Sequence, residues 1–199
     1  MENFIKIDIY ERLQEATLCL EKIKNDKDLL NKINNLIIII CECIKNNNKV
    51  LFFGNGGSAG DSQHMAGEFI CKFLRDRSSF PGIALTTDTS VLTSISNDYG
   101  YERIFSRQIE GIGKERDIAF AFSTSGNSEN VILGLKKAKE IGLITIGFSG
   151  LGGGNMKKYC DFIIEAPSKK TPRIQEMHLL IGHIICEGIE QIISGEETC

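Results

Sequence analysis

The 199 residues are 42% hydrophobic and 25% charged, with a net charge of −3 at pH 7. That much apolar side chain excludes a disordered chain, and the lack of a basic excess argues against a nucleic-acid partner. Seven cysteines, an odd number with no C-x-x-C pair, predict a reducing, cytoplasmic setting rather than a disulfide framework.

The chain opens with "MENFIKIDIYERL", whose interspersed charges exclude a secretory signal. Two helices are predicted over 1–47, as an N-terminal arm. Ile9, Leu13, Ala16, Leu20 and Ile23 keep a helical period, and so do Leu29, Ile33, Leu36, Ile37, Ile40, Cys41 and Ile44, with "KNDKD" as the break. Ile38 and Ile39 make the second helix apolar beyond one stripe, so it is expected to be buried on two sides, the second by another subunit. The run "LIIIICECI" (36–44) contains Glu42 and is too short to span a bilayer, so no membrane association is expected.

From "KVLFFG" (49–54) onward, strand and helix alternate. Strands are predicted at "KVLFFG", "GIALTT", "DIAFAFS", "LITIGFSG" and "DFIIEA". Helices are predicted at "SAGDSQHMAGEFICKFL", "DTSVLTSISND", "YERIFSRQIEGI", "ENVILGLKKAKEIG", "GGNMKKY" and the long final "TPRIQEMHLLIGHIICEGIEQII". Apolar strands between helices mean a parallel sheet covered on both faces. The expectation is an α/β fold: one doubly wound domain, 1–199, with a five-stranded parallel sheet. Ligands of such sheets bind at the carboxyl ends of the strands.

Two of those ends are unusual. "FFGNGGS" follows the first strand. "FSTSGNSENV" follows the third and carries Ser123, Thr124, Ser125 and Ser128 around Gly126. Hydroxyls and free N–H groups at a helix start form an anion site. A cap needs only one hydroxyl, so four favour a bound anion. Neither loop is a nucleotide fingerprint, which points to a small phosphorylated ligand.

His64 and Glu68 stand four residues apart on one helix face. They could share a metal ion, orient one another or lie on a solvated surface. The final helix adds Gln175, His178 and His183 among apolar residues. The two histidines lie about 140° apart on that helix, so one faces a site and the other needs a core partner. Spacing does not say which.

With "GNGGSAGDSQH", "HMAGE", "ALTTDTS", "SNDYGYERIFSRQ", "STSGNS" and "RIQEMHLLIGH", nearly the whole chain resembles the bacterial phosphoheptose isomerases of the sugar isomerase (SIS) superfamily. The resemblance implies one zinc ion per subunit, held by His64, Glu68, Gln175 and His183. It implies substrate contacts from Asn55, Gly56, Gly57, Glu68, Asn97, Asp98, Ser123, Thr124, Ser125, Ser128 and Gln175. It also implies a homotetramer with active sites between subunits, and an aldose–ketose isomerase acting on sedoheptulose 7-phosphate. Its heptose product would feed lipopolysaccharide, capsule or another glycan. Glu68 would then carry the carbon proton, and His183 would serve the oxygens or ring opening. Some relatives have Asp where this chain has Pro172, so any role of that aspartate is not inherited. The alternatives are a non-catalytic SIS binding protein, which would not need the four metal ligands, and an isomerase of another sugar phosphate.

Overall fold

The computed structural model of the chain describes residues 8–195, so residues 1–7 of the charged leading segment and Cys199 lie outside the described residues. Five strands form one sheet: β1 (Val50–Gly54), β2 (Gly82–Ala84), β3 (Ile118–Ser123), β4 (Ile144–Ser149) and β5 (Phe162–Glu165). Their order is β2-β1-β3-β4-β5 and every pairing is parallel. The helices are α1 (Ile9–Asn25), α2 (Lys27–Lys45), α3 (Gly57–Ile70), α4 (Thr89–Tyr99), α5 (Ile104–Ile112), α6 (Glu129–Glu140) and α7 (Thr171–Ser194).

The central strands are buried on both faces, and their alternation divides the core in two. Phe52, Phe120, Phe122 and Phe148 face α2, α3 and α7. Leu51, Phe53, Ala119 and Ala121 face α4, α5 and α6. Rings on the first face meet at 4.9–5.3 Å between centroids, a spacing at which offset aromatic pairs attract. Asp26 both closes α1 and caps α2, its carboxylate accepting from the Leu29 N–H at 2.9 Å. That single residue is the whole break between the two helices.

Four expected elements differ in extent. The "GIALTT" strand keeps only Gly82–Ala84, because it is an edge strand paired to β1 alone and Thr86–Thr87 turn toward the Asp88 cap of α4. "GGNMKKY" forms a 3₁₀ turn, Asn155–Tyr159, and Tyr101–Arg103 forms another ahead of α5. The third helix stops at Ile70 rather than Leu74, because the N–H groups of Phe73, Leu74 and Arg75 bond to a side chain, the Glu190 carboxylate. In α1, Cys19 and Ile23 are the buried positions, while Ile9 and Leu13 are 69% and 63% exposed. With Leu20 at 40%, three of the five predicted stripe residues therefore have no cover within one chain.

The chain leaves β1 toward β2 on one side and returns to β3 on the other. The reversal makes the gap beyond Gly54 and Ser123 the topological switch point, where sheets of this order form their ligand crevice. Both unusual loops of the sequence end there.

Candidate active site and metal centre

The first loop is fixed by a close approach. A Cβ on Gly54 would lie 2.7 Å from the Phe122 carbonyl of β3, so only glycine lets β1 end so near its neighbour. Gly56 follows at φ +56°, a conformation that favours glycine, and precedes α3. Asn55 is held from two sides. Its amide exchanges hydrogen bonds with the Asn130 amide at 2.8 and 2.9 Å, and its Oδ1 accepts from the Tyr101 hydroxyl at 3.0 Å.

The second loop turns at Gly126 (φ +65°). Ser128 precedes α6 but makes no side-chain cap bond; its Oγ lies 3.1 Å from Ser123 Oγ. The two hydroxyls face each other, as anion donors would, and capping does not account for Ser128. Ser125 Oγ accepts from the Asn127 N–H at 3.1 Å, and the Thr124 carbonyl accepts from Gly150 N–H at 3.0 Å. The glycine run after β4 presses on this loop: a Cβ on Gly126 would lie 2.2 Å from the Gly153 carbonyl. Replacing Ser123 and Ser125 together by Ala should weaken sugar-phosphate binding. Each hydrogen bond to a charged group is worth about 1.5–3 kcal/mol, so the pair should cost more than about tenfold in Kd. Isothermal titration checks this, and an unchanged Kd would move the phosphate elsewhere.

His64 and Glu68 on α3 meet His183 on α7. His64 Nε2 lies 2.8 Å from His183 Nε2 and 3.3 Å from Glu68 Oε1, and one ligand atom from each of the three lies within 4.8 Å of the others. These separations are near the ~3.3 Å edge of a tetrahedron with ~2.0–2.1 Å bonds. Two neutral imidazoles and a carboxylate also suit zinc chemically. The donor set fits a divalent ion with one position left for a further ligand.

Gln175 lies against the glycine loop. A Cβ on Gly57 would lie 2.2 Å from Gln175 Nε2, so the amide rests on the first turn of α3. The structure thus brings His64, Glu68 and His183 together and lays the Gln175 amide against the glycine loop. Asn97 and Asp98 bond to each other at 2.8 Å near the end of α4, where Asp98 lines a cleft of about 540 Å³ with Arg107 and Gln108.

His178 is the core histidine. It is fully buried, its rings packed near Phe122 and Phe148, with Nε2 3.0 Å from the Ser149 carbonyl. Burial lowers its pKa from 6.5 to about 4, against that hydrogen bond. Below pH 6.5 the unfolded chain takes up a proton that the folded chain refuses, so this residue's stability contribution is full above 6.5 and lost toward pH 4. The loss should be on the order of 3 kcal/mol. Urea unfolding of the wild type and His178→Gln should show a smaller drop from pH 7 to 5 in the variant; equal slopes would refute the assignment.

Residues 13–150 match the SIS domain family. The chain is also 51% identical, over 198 residues, to the phosphoheptose isomerase of Clostridium acetobutylicum, covering 100% of this chain and 99% of that one. The chain belongs to the phosphoheptose isomerase family. The phosphoheptose isomerase of Burkholderia pseudomallei is 44% identical across 99% of this chain and 100% of its own. A solved phosphoheptose isomerase from Neisseria gonorrhoeae superposes with a TM-score of 0.86 at 34% identity, covering 92% of this chain and 97% of that one. One from Francisella tularensis gives 0.88 at 31%, covering 92% and 96%.

In this member of the family, some residues at the site escape a reading of the sequence. Asn130, 3% exposed, sits in the first turn of α6 and holds Asn55; a buried amide just after the serine loop is the signal that could have found it. Tyr101 arrives through a 3₁₀ turn that periodicity does not register. Asp61, one turn before His64, has a buried Oδ2 with no hydrogen-bond partner among the described residues; burial pushes its pKa up to about 6, with His64 pulling it back.

Proposed function

We propose that this chain is an aldose–ketose isomerase that converts sedoheptulose 7-phosphate to D-glycero-D-manno-heptose 7-phosphate through an enediol. The observation that carries this reading is the meeting of Glu68 with His64 and His183, in a chain 51% identical to a phosphoheptose isomerase over its full length. The phosphate would sit on the hydroxyls of Ser123, Thr124, Ser125 and Ser128. Asn55, Gly56, Gly57, Gln175, Asn97 and Asp98 would contact the carbon chain. A ketose whose phosphate lies at the far end from its carbonyl suits an anion loop on one element, after β3, and a proton-transfer group on another, α3.

The reaction moves one hydrogen from C1 to C2 and one proton from O1 to O2. Glu68 takes the C1 proton as the C1–H bond breaks, and the electron pair forms the C1–C2 double bond. His183 delivers a proton to O2, giving the enediol. It then accepts the O1 proton while Glu68 returns its proton to C2, leaving an aldehyde at C1. A zinc ion held by His64, Glu68 and His183, with Gln175 as a further ligand, would supply polarisation of the substrate oxygens.

The active form we infer is a cytoplasmic homotetramer in which 1–199 is one SIS domain. Support for assembly comes from α1 and α2: Ile9, Tyr10, Leu13 and Ile38 are all at least half exposed in a single chain. Free thiols at Cys19, Cys41, Cys43, Cys71, Cys160 and Cys186 suit a reducing compartment, and no helix among the described residues is long and apolar enough to cross a membrane. Incubation with sedoheptulose 7-phosphate, followed by NMR, tests the function. The signals of an aldoheptose 7-phosphate should grow in; turnover of a shorter sugar phosphate instead would reassign the substrate.

A further inference from the structure

The ten residues after α3, Cys71–Phe80, form a loop that returns to β2, and one carboxylate holds it. Glu190 of α7 is 1% exposed. Its Oε1 accepts from Phe73 N–H and Arg77 Nε, both at 2.8 Å; its Oε2 accepts from Leu74 N–H at 2.8 Å and Arg75 N–H at 2.9 Å. Burial alone would raise the Glu190 carboxyl, and these four donors hold it below the ordinary range instead.

Arg77 completes the connection. Its Nη2 donates to the Glu68 carbonyl at 2.7 Å, and its Nη1 to the Phe69 carbonyl and the Ser78 carbonyl, each at 3.0 Å. The guanidinium lies 3.5 Å from the centre of the Phe80 ring, a stacked arrangement that lysine does not reproduce. The planar fork thus caps the carboxyl end of α3 at the backbone of Glu68 itself. The other end of the pair, Glu190, stands seven residues after His183, on the same face of α7. The loop so fastened lays Phe73 on His183, with ring centroids 5.2 Å apart at 32°, and the His183 ring in turn lies 5.0 Å from that of His64.

We propose that Arg77 and Glu190 are positioning residues of the isomerase site, which set Glu68 against His183 and hold Phe73 as the wall behind the imidazole. A buried ion pair is weak evidence for stability, since an apolar replacement often does as well. Here every bond of the pair ends on the catalytic helix, its following loop or the residue that touches His183. The inference rests on the isomerase reading above, and the test separates the two.

Three variants serve: Glu190→Gln, which loses the charge; Arg77→Lys, which keeps the charge and loses the fork; and Phe73→Leu, which leaves the ion pair intact. Each should lower kcat for sedoheptulose 7-phosphate by roughly tenfold to a hundredfold. KM should stay within roughly twofold, because the serine loop is untouched. Phe73→Tyr, which keeps the ring, should recover most of what Phe73→Leu loses. In metal-free protein the ring-proton NMR signals of His183 should move in all three variants, since the Phe73 ring current acts on them. If Glu190→Gln fails to fold, Arg77→Lys, the milder change, decides for the pair, and Phe73→Leu decides for the wall behind the imidazole. Folded variants with wild-type kcat and unmoved His183 signals would overturn the proposal. A wild type that converts no sugar phosphate would instead overturn the isomerase reading, and moved signals would then still establish the positioning.

Discussion

Glu68→Gln should leave a folded protein that binds sedoheptulose 7-phosphate and barely isomerises it. The amide keeps the shape of the side chain and can still offer an oxygen toward His64, 3.3 Å away in the wild type. It cannot accept a carbon-bound proton at neutral pH. The loss should reach at least the ~10²–10⁴-fold typical of general acid–base catalysis. It should fall on kcat more than on KM, because the step removed occurs only on the way to the transition state. Zinc content must be measured on the same sample, since a variant that lost its metal would be inactive for a different reason. A Glu68→Gln protein holding wild-type metal and turning over at the wild-type rate would leave Glu68 as a ligand alone, and His183 would become the candidate base.

His64→Ala should lose most of its divalent metal. His64 Nε2 is the atom common to both short separations in the trio, so its removal leaves Glu68 and His183 without the group between them. Substitution of outer-shell partners already costs about 10–100-fold in metal affinity, and loss of a ligand should exceed that. The second readout is stability. Zinc at a hundred times its Kd should stabilise the wild type by about 2.7 kcal/mol and the variant by much less. Without metal the two should unfold alike, because His64 is partly exposed and fills no core position. Stoichiometric zinc in His64→Ala, by elemental analysis after dialysis, would remove this residue from the site.

The strands were legible in the sequence because β1, β3 and β4 are buried on both faces and read as apolar runs ended by Gly or Ser. The serine loop stood out because four hydroxyls exceed what a cap requires, and Ser128 indeed makes no cap bond. The choice between the two histidines was not, since periodicity places residues on a face and says nothing of what the face meets. His178 meets the Phe122–Phe148 layer and His183 meets His64. The early end of α3 was also invisible, because its cause lies more than a hundred residues away in Glu190. The period at Ile9 and Leu13 marks a helix face, and both residues are exposed, because a hydrophobic period does not say which chain supplies the cover.

The central claim is that Glu68 moves a proton between C1 and C2 of a seven-carbon ketose phosphate. Its most direct test is solvent exchange. Sedoheptulose 7-phosphate is incubated in deuterated water with the metal-loaded wild type and with Glu68→Gln, and the C1 signal is followed by NMR. The account predicts deuterium at C1 of the recovered ketose and at C2 of the aldose product with the wild type, and none above the buffer control with the variant. Exchange and turnover at equal rates in the two proteins would contradict it.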